Sequence, residues 1–339
     1  MIRPDCSGIP VKIMRKLYVS KEIWPVAGVF RISRGSRTET EVVVVRIEED
    51  GIFGFGESAP YGRYRETVSG VIKEIELLGE AISKGLTREE LWKKIPAGAA
   101  RNAVDCALWD LEAKKSGMRV WELAGLPAPD PATTAITISV DQPEAMAESA
   151  RAHTAAPLVK VKLGGEGDLE RMKAVRRVLP KAELIVDANE AWTPEMCRQL
   201  LPEMAALDVK LIEQPLPAGE DEILREIDRI VPICADESCH VSADLPKLRG
   251  KYDFVNIKLD KTGGLTEALH LAREAEKAGF GIMVGCMLGT SLAMAPAVLL
   301  ASKARFVDLD GAILLAKDRD HPLSYVGGKV HPPDVRLWG

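Results

Sequence analysis

The 339 residues carry a formal charge of −5, with 46% hydrophobic and 28% charged side chains, an ordinary globular composition long enough for two domains. A pI near 5.7 implies no basic face for nucleic acid. The opening Met-Ile-Arg-Pro-Asp-Cys-Ser-Gly has no apolar signal-peptide core, and the longest apolar stretch, Leu292–Ala301, is too short to span a bilayer and contains Pro296, so no membrane partner is expected. Cysteines at 6, 106, 197, 234, 239 and 286 form no Cys-x-x-Cys pair and lie near no zinc-spaced histidines. Free buried thiols in a reducing compartment are the plain reading, and the cytoplasm is the expected location.

In chain order, residues 11 to about 60 read as strands. The β-branched run Glu41-Val-Val-Val-Val-Arg-Ile-Glu leads into Glu49-Asp50-Gly51, a hairpin signal. Gly54, Gly56 and Glu57 follow; the glycines read as turns and a bulge, because no phosphate-binding helix comes after them. Residues 66–117 read as helices. In Arg101–Lys115 the apolar residues 103, 104, 107, 108 and 111 share one helical face, and Ser116-Gly117 caps the end. Pro127, Pro129 and Pro131 then mark a domain boundary. The expected division is an N-terminal α+β capping domain over 1–128, a catalytic barrel over 129–318, and a tail over 319–339 packing back on the cap.

Beyond the boundary, short apolar runs recur: Ala135–Val140, Leu158–Leu163, Leu184–Asp187, Lys210–Glu213, Ile233–Asp236, Phe254–Leu259, Gly281–Cys286 and Phe306–Leu309. Most gaps hold a helical pattern, such as Asp168–Leu179 and Leu265–Ala278. A period of about 25 residues with strand–helix alternation means a parallel α/β sheet, and eight units fit a TIM barrel. On alternation alone a doubly wound open sheet competes.

Functional residues of such barrels sit at the C-terminal strand ends. Asp187, Glu213 and Asp236 end the third, fourth and fifth strands. Neighbouring strands lie about 4.8 Å apart, and three carboxylates that close call for a cation between them. One acid alone would read as a helix cap; three in succession point to a metal. All-oxygen ligation suits Mg²⁺, one per subunit, better than zinc. Lys162 on the second strand faces Lys258 on the sixth across the axis. A neutral lysine takes a proton and an ammonium returns one. The plainer alternative is that inward lysines only neutralise the acids. Lys160 shares the face of Lys162, and this cation and the metal are expected to lower the lysine pKa toward the working range. Proton removal beside a carboxylate builds an enediolate that Mg²⁺ stabilises, the pairing general principles give for enolase-type enzymes. Asp308 and Asp310, on the eighth strand opposite the metal, want a cation such as an α-ammonium group; a helix cap is their alternative.

These residues resemble a family. Lys160-x-Lys162, Asp187-Ala-Asn189, Glu213-Gln-Pro215, Asp236-Glu-Ser238 and Asn256-Ile-Lys258-Leu-Asp260-Lys-Thr-Gly-Gly264 are similar to the muconate-lactonizing subgroup of the enolase superfamily. Asp308-x-Asp310, Ser33-Arg34-Gly-Ser-Arg37, Ala97–Ala103 and Gly285-Cys286-Met287 resemble its dipeptide epimerases. The resemblance implies a modified TIM barrel of (β/α)7β type under an α+β cap, and 1,1-proton transfer on the C-terminal residue of a dipeptide. L-Ala-L-Glu and its D-Glu epimer, from peptidoglycan-peptide recycling, are the expected pair. It implies Asp187, Glu213 and Asp236 as metal ligands, Lys162 as base toward the D epimer and Lys258 toward the L epimer, and Lys160 on the substrate carboxylate. It further implies Thr137 and the Cys286–Thr290 loop on the peptide group, Asp308 and Asp310 on the ammonium, and Asn189 and Asp260 in support. Cap loops near 28–37 and 55–64 would choose the side chain, with Arg34 and Arg37 suited to a γ-carboxylate. The alternatives are o-succinylbenzoate synthesis or N-acylamino-acid racemisation, and, farther off, a non-catalytic metal-binding barrel. A dipeptide is the expected small-molecule partner, and self-association into a homo-oligomer is compatible with the chain.

Overall fold

The computed structural model describes residues 14–339; Cys6 and the rest of 1–13 lie outside the described residues. The chain begins with an antiparallel sheet of β1 (Lys16–Ile32), β2 (Gly35–Glu49) and β3 (Ile52–Ser58), in that order. Asp50 and Gly51 turn β2 into β3 with φ of 54° and 79°, the left-handed pair a tight hairpin needs. Gly54 and Gly56 correct the sequence reading. They stand in regular register with Ile47 and Val45, without a bulge. A Cβ on Gly54 would lie 2.2 Å from Ala107 O, and one on Gly56 2.1 Å from Ala103 O. The glycines let a helix lie directly on the strand.

The cap helices are α1 (Val68–Glu76), α2 (Gly79–Ser83), α3 (Arg88–Lys94), α4 (Ala99–Ser116) and α5 (Val120–Leu123). The apolar face expected on α4 is buried against β2 and β3. Its polar side is buried too: Arg101, Asn102 and Asp105 under the barrel, and Asp110 under Phe55 and the C-terminal Gly339, are all at most 5% exposed. Gly117 ends the helix at φ 71°, the cap the sequence signals.

After β4 (Ala132–Thr133), eight parallel strands follow: β5 (Ile136–Ile138), β6 (Leu158–Lys162), β7 (Glu183–Asp187), β8 (Val209–Glu213), β9 (Ile233–Ala235), β10 (Phe254–Ile257), β11 (Gly281–Val284) and β12 (Phe306–Val307). They pair in sequence order from β5 to β12. Ala135 N–H donates to Val307 O at 2.8 Å, joining the last strand back to the first. Each apolar run read from the sequence falls on one of these strands, with β7 and β8 starting one residue earlier than their runs. The outer helices are α6 (Pro143–Arg151), α7 (Asp168–Val178), α8 (Pro194–Ala206), α9 (Leu245–Leu248), α10 (Leu259–Thr262), α11 (Leu265–Ala278) and α12 (Ser291–Val298). Between β8 and β9 only a 3-10 turn, Glu222–Arg225, replaces the helix. Alternation sorts each strand's side chains: Val159 and Val161 join the core under the helices, while Lys160 and Lys162 take the other face. Chain segments β13 (Tyr325–Val326) and β14 (Lys329–Val330) close the structure against β4. Among the described residues no helix is long and apolar enough to cross a membrane.

The cap is fixed to the barrel beside β10. Asp105 accepts from Thr266 N at 3.0 Å and Oγ1 at 2.6 Å, and Arg101 Nη2 donates to Thr262 O at 2.6 Å. This contact needs Gly263 and Gly264, at φ 71° and 109°. A Cβ on Gly264 would lie 2.4 Å from Asp105 Oδ2. The cap is thereby registered on the segment that follows Lys258.

Candidate active site

A cavity of about 380 Å³ opens where the cap meets the C-terminal strand ends. Its barrel side holds Lys162, Asn189, Asp236, Glu237, Lys258 and Cys286–Leu288; its cap side holds Phe30, Ile32, Arg34, Arg37, Tyr61 and Tyr64. Lys162 ends the second barrel strand and Lys258 follows the sixth, half a barrel apart, and both line this one cavity.

Charges beneath it are interleaved. Lys162 Nζ donates to Asp187 Oδ2 at 2.5 Å, and Lys258 Nζ to Asp236 Oδ2 at 2.6 Å. Lys160, 1% exposed, donates to Asp308 Oδ2 at 2.6 Å and stands 2.6 Å from Glu213 Oε2 and 3.3 Å from Asp187 Oδ2. Asn256 Nδ2 donates to Glu213 Oε1 at 2.7 Å. Three carboxylates on adjacent strands are therefore held by ammonium groups. Among the described residues no three carboxylate, histidine or cysteine side chains already converge at metal-bonding distance. The donor set nevertheless fits a hard divalent ion. It is all oxygen, and Glu213 Oε2, deeply buried, is approached by Lys160 without a directed hydrogen bond. These oxygens are already in use by cations.

Burial opposes ionisation of Asp187, yet Lys162 and Lys160 hold it near 2, and Lys258 and Lys261 hold Asp236 well below its ordinary value. Glu213 is raised, by burial and then by Asp187. Burial alone lowers Lys258, but Asp236 and Glu213 outweigh it and the net direction is up, with Lys160 pulling it down; Lys160 is raised in the same way by Asp308, Glu213 and Asp187. Among the protein's own groups the carboxylates set the direction, and the expected lowering depends on a metal ion drawing on those same carboxylates.

Other expected residues fall as follows. Asp308 is locked on Lys160, and its Oδ1 has no partner among the described residues. Asp310 Oδ2 accepts the Thr137 N–H at 2.6 Å, and burial together with Asp308 raises it to about 7. Thr137, Asp308 and Asp310 thus come together as a buried group that is not itself part of the cavity lining. Cys286 lines the cavity, and burial raises its thiol, leaving it protonated. Asn189 donates its N–H to Asp187 Oδ1 at 2.9 Å. Asp260 bonds to the cap rather than to Asp187, Glu213 or Asp236. Its Oδ1 accepts from Ala59 N at 3.0 Å and Asn102 Nδ2 at 2.9 Å, tying barrel to cap.

Arg34 lines the cavity and spans cap and barrel. A guanidinium has five N–H donors, and all five of Arg34 are committed: to Tyr61 Oη twice, Asn189 O at 2.8 Å, Glu190 Oε2 at 3.1 Å and Glu237 Oε1 at 2.7 Å. It clasps the cap loop to the barrel. Arg37 lines the same cavity, 5.6 Å from the Tyr61 ring, and makes no ion pair among the described residues. Sequence reasoning missed Lys261. Its ammonium, on a fully buried side chain, donates to Asp236 O at 2.5 Å, Asp236 Oδ1 at 2.6 Å and Asn256 O at 2.9 Å. Its place one turn after Lys258 was the available signal.

A capped barrel carrying opposed lysines over three carboxylates defines an enolase-type enzyme site. Residues 14–125 match the N-terminal domain of the mandelate racemase/muconate lactonizing enzyme family, and 144–336 match the enolase C-terminal domain-like family. The chain belongs to the mandelate racemase/muconate lactonizing enzyme family. It is 48% identical to the L-Ala-D/L-Glu epimerase of Escherichia coli strain K12, over 94% of this chain and all of the relative. It is 49% identical to an N-acetyl-D-glutamate racemase of a Pseudoalteromonas species, over 88% of this chain and 95% of the relative. A crystal structure of an Agrobacterium tumefaciens enolase-family member with homology to dipeptide epimerases, holding sodium and L-Ala-L-Glu, superposes with a TM-score of 0.94 at 52% identity, covering 96% of this chain and all of that one. A dipeptide epimerase from Enterococcus faecalis, complexed with Mg and L-Leu-L-Tyr, gives 0.88 at 30% identity, over 96% and 98% of the two chains.

Proposed function

We propose that this chain is an isomerase that epimerises dipeptides at the α-carbon of the C-terminal residue, with L-Ala-L-Glu and L-Ala-D-Glu as the pair. The observation that carries the reading is Lys162 and Lys258, buried on opposite sides of one cavity, each within hydrogen-bond reach of a metal-site carboxylate. Groups on both faces of a single carbon can remove a proton from one side and return one from the other. Lys258 serves the L epimer and Lys162 the D epimer.

Asp187, Glu213 and Asp236 would hold one Mg²⁺, which, when bound, neutralises charge on the substrate carboxylate and draws off the carboxylate charge that keeps Lys258 protonated. Lys160 pairs with the substrate carboxylate, leaving Asp308. The freed Asp308 and Asp310 receive the substrate ammonium, and the Thr137 N–H steadies Asp310. Arg37, without a hydrogen-bond or ion-pair partner among the described residues, meets the γ-carboxylate, while Arg34 keeps the cap loop shut. Tyr61, Tyr64 and Phe30 narrow the cavity and keep water from the reacting carbon. Free thiols at all five described cysteines suit the cytoplasm, where peptidoglycan-derived dipeptides are recycled.

N-acylglutamate racemisation is the second reading, favoured by the racemase relative at 49% identity. The aspartate pair at 308 and 310 speaks for an ammonium instead. Incubation with L-Ala-L-Glu in D₂O tests the proposal: deuterium enters the glutamate α-position and D-Glu dipeptide accumulates. Exchange in N-acetylglutamate but in no dipeptide would overturn it.

A further inference from the structure

Glu57, at the end of cap strand β3, takes no part in the proton-transfer site, yet its side chain is fully buried. Its Oε1 accepts the Thr290 N–H at 2.8 Å. Its Oε2 accepts from the Thr290 hydroxyl and from Arg319, Nε at 3.0 Å and Nη2 at 2.7 Å. Arg319 also donates to Thr290 Oγ1 at 2.6 Å and to Glu22 Oε2 at 2.7 Å, and lies 5.1 Å from the Trp24 ring. One ion pair thus joins the cap, the end of the barrel and the chain beyond the last barrel strand.

The joint sits on the strand-seven loop. Cys286, Met287 and Leu288 line the cavity, and Thr290 anchors the loop's far end by accepting from Leu292 N at the start of α12. Next to Arg319, Asp318 accepts from Ser291 N at 3.0 Å and Ser291 Oγ at 2.5 Å. Gly289 leaves little slack: a Cβ there would lie 3.1 Å from Glu57 Oε1 and 3.1 Å from Ala293 Cβ. A buried carboxylate needs its cation; without Arg319, Glu57 would draw water or a proton, and the directed contacts on Thr290 would loosen.

We propose that Arg319 is a positioning residue that acts through Glu57 and Thr290 to set the 286–290 wall of the substrate cavity. The proposal rests on the dipeptide reading only for the ligand that meets this wall. A loosened wall costs binding more than chemistry, because Lys162 and Lys258 stand on other strands. The double variant Arg319→Met/Glu57→Gln removes the pair without stranding a buried charge, since Glu22 is partly exposed to water, and Arg319→Lys keeps the charge with fewer hydrogen bonds.

Amide hydrogen exchange without substrate, and α-proton exchange of L-Ala-L-Glu, are to be measured on both variants. In the double variant, amides of 287–293 exchange about tenfold faster while the barrel strands keep their protection. KM rises about tenfold with kcat within about threefold, and Arg319→Lys falls between it and the wild type in both measures. Unchanged loop protection with unchanged KM overturns the proposal, and so does faster exchange spread over the whole chain. If the wild-type protein turns over no dipeptide, the substrate reading fails by itself, and loop exchange in the two variants still decides the role of Arg319.

Discussion

Asp308→Asn separates the two substrate readings most sharply. Asp308 Oδ2 is 2.6 Å from Lys160, and its Oδ1 is buried without a partner among the described residues. An ammonium at about 4 Å from this carboxylate gains about 4 kcal/mol at an effective dielectric of about 20. Desolvation of both ions offsets much of that, and a hydrogen bond to a charged group nets about 1.5–3 kcal/mol. At about 1.4 kcal/mol per decade, kcat/KM for L-Ala-L-Glu should fall about 10- to 150-fold. Asparagine keeps the shape, and Lys160 keeps Glu213 at 2.6 Å and Asp187 at 3.3 Å, so the floor should hold. N-acetyl-L-glutamate has no ammonium, and its kcat/KM, or its Ki where it only inhibits, should move by less than about threefold. Polarimetry on both compounds gives the ratio. Equal losses for the two would mean that Asp308 acts only through Lys160, and the ammonium argument would be wrong.

Arg37→Ala should cut kcat/KM for L-Ala-L-Glu about 10- to 100-fold, the loss of a charge-assisted pair, and leave L-Ala-L-Leu nearly unchanged; parallel dipeptide kinetics check this. Lys261→Met should leave Asp236 less fixed and weaken Mg²⁺ binding about 10- to 100-fold by calorimetry, whereas unaltered affinity would reduce Lys261 to a space-filling role. Burial raises Asp260 from its ordinary 3.8 to about 7. The folded chain then holds a proton that the unfolded chain releases, so the group's contribution is intact below about pH 4 and is lost as pH climbs to about 7. Asp260→Asn should therefore stabilise the protein by about 2–4 kcal/mol above pH 7, with the gain narrowing toward pH 5 in denaturant titrations.

How much of this was readable in the chain depends on distance along it. Charges that end apolar runs are legible because a barrel interior gives Asp187, Glu213, Asp236, Lys162 and Lys258 no ordinary reason to be there. The hairpin at Asp50-Gly51 and the cap at Gly117 are local events with local signals. The anchoring of Arg34 was not legible: its type and position suit a carboxylate ligand, and its partners within the chain, Glu190 and Glu237, lie 156 and 203 residues away. Gly54 and Gly56 look like turn residues because glycine supplies both bends and clearance, and only the packed α4 shows which is in use. The carboxylate hold on Lys258 was out of reach for a similar reason. Lys258 answers to Asp236 and Glu213 on two other strands, and the balance of attraction against burial follows from distances that no spacing reveals.

The central claim is that two lysines address one α-carbon from opposite faces. Lys162→Met and Lys258→Met should each be followed by NMR in D₂O with L-Ala-L-Glu and L-Ala-D-Glu separately. Epimerisation should vanish in both variants, while deuterium still enters the L-Glu dipeptide with Lys258 intact and the D-Glu dipeptide with Lys162 intact. Loss of exchange from both epimers in only one variant, with the other fully active, would contradict a two-base site.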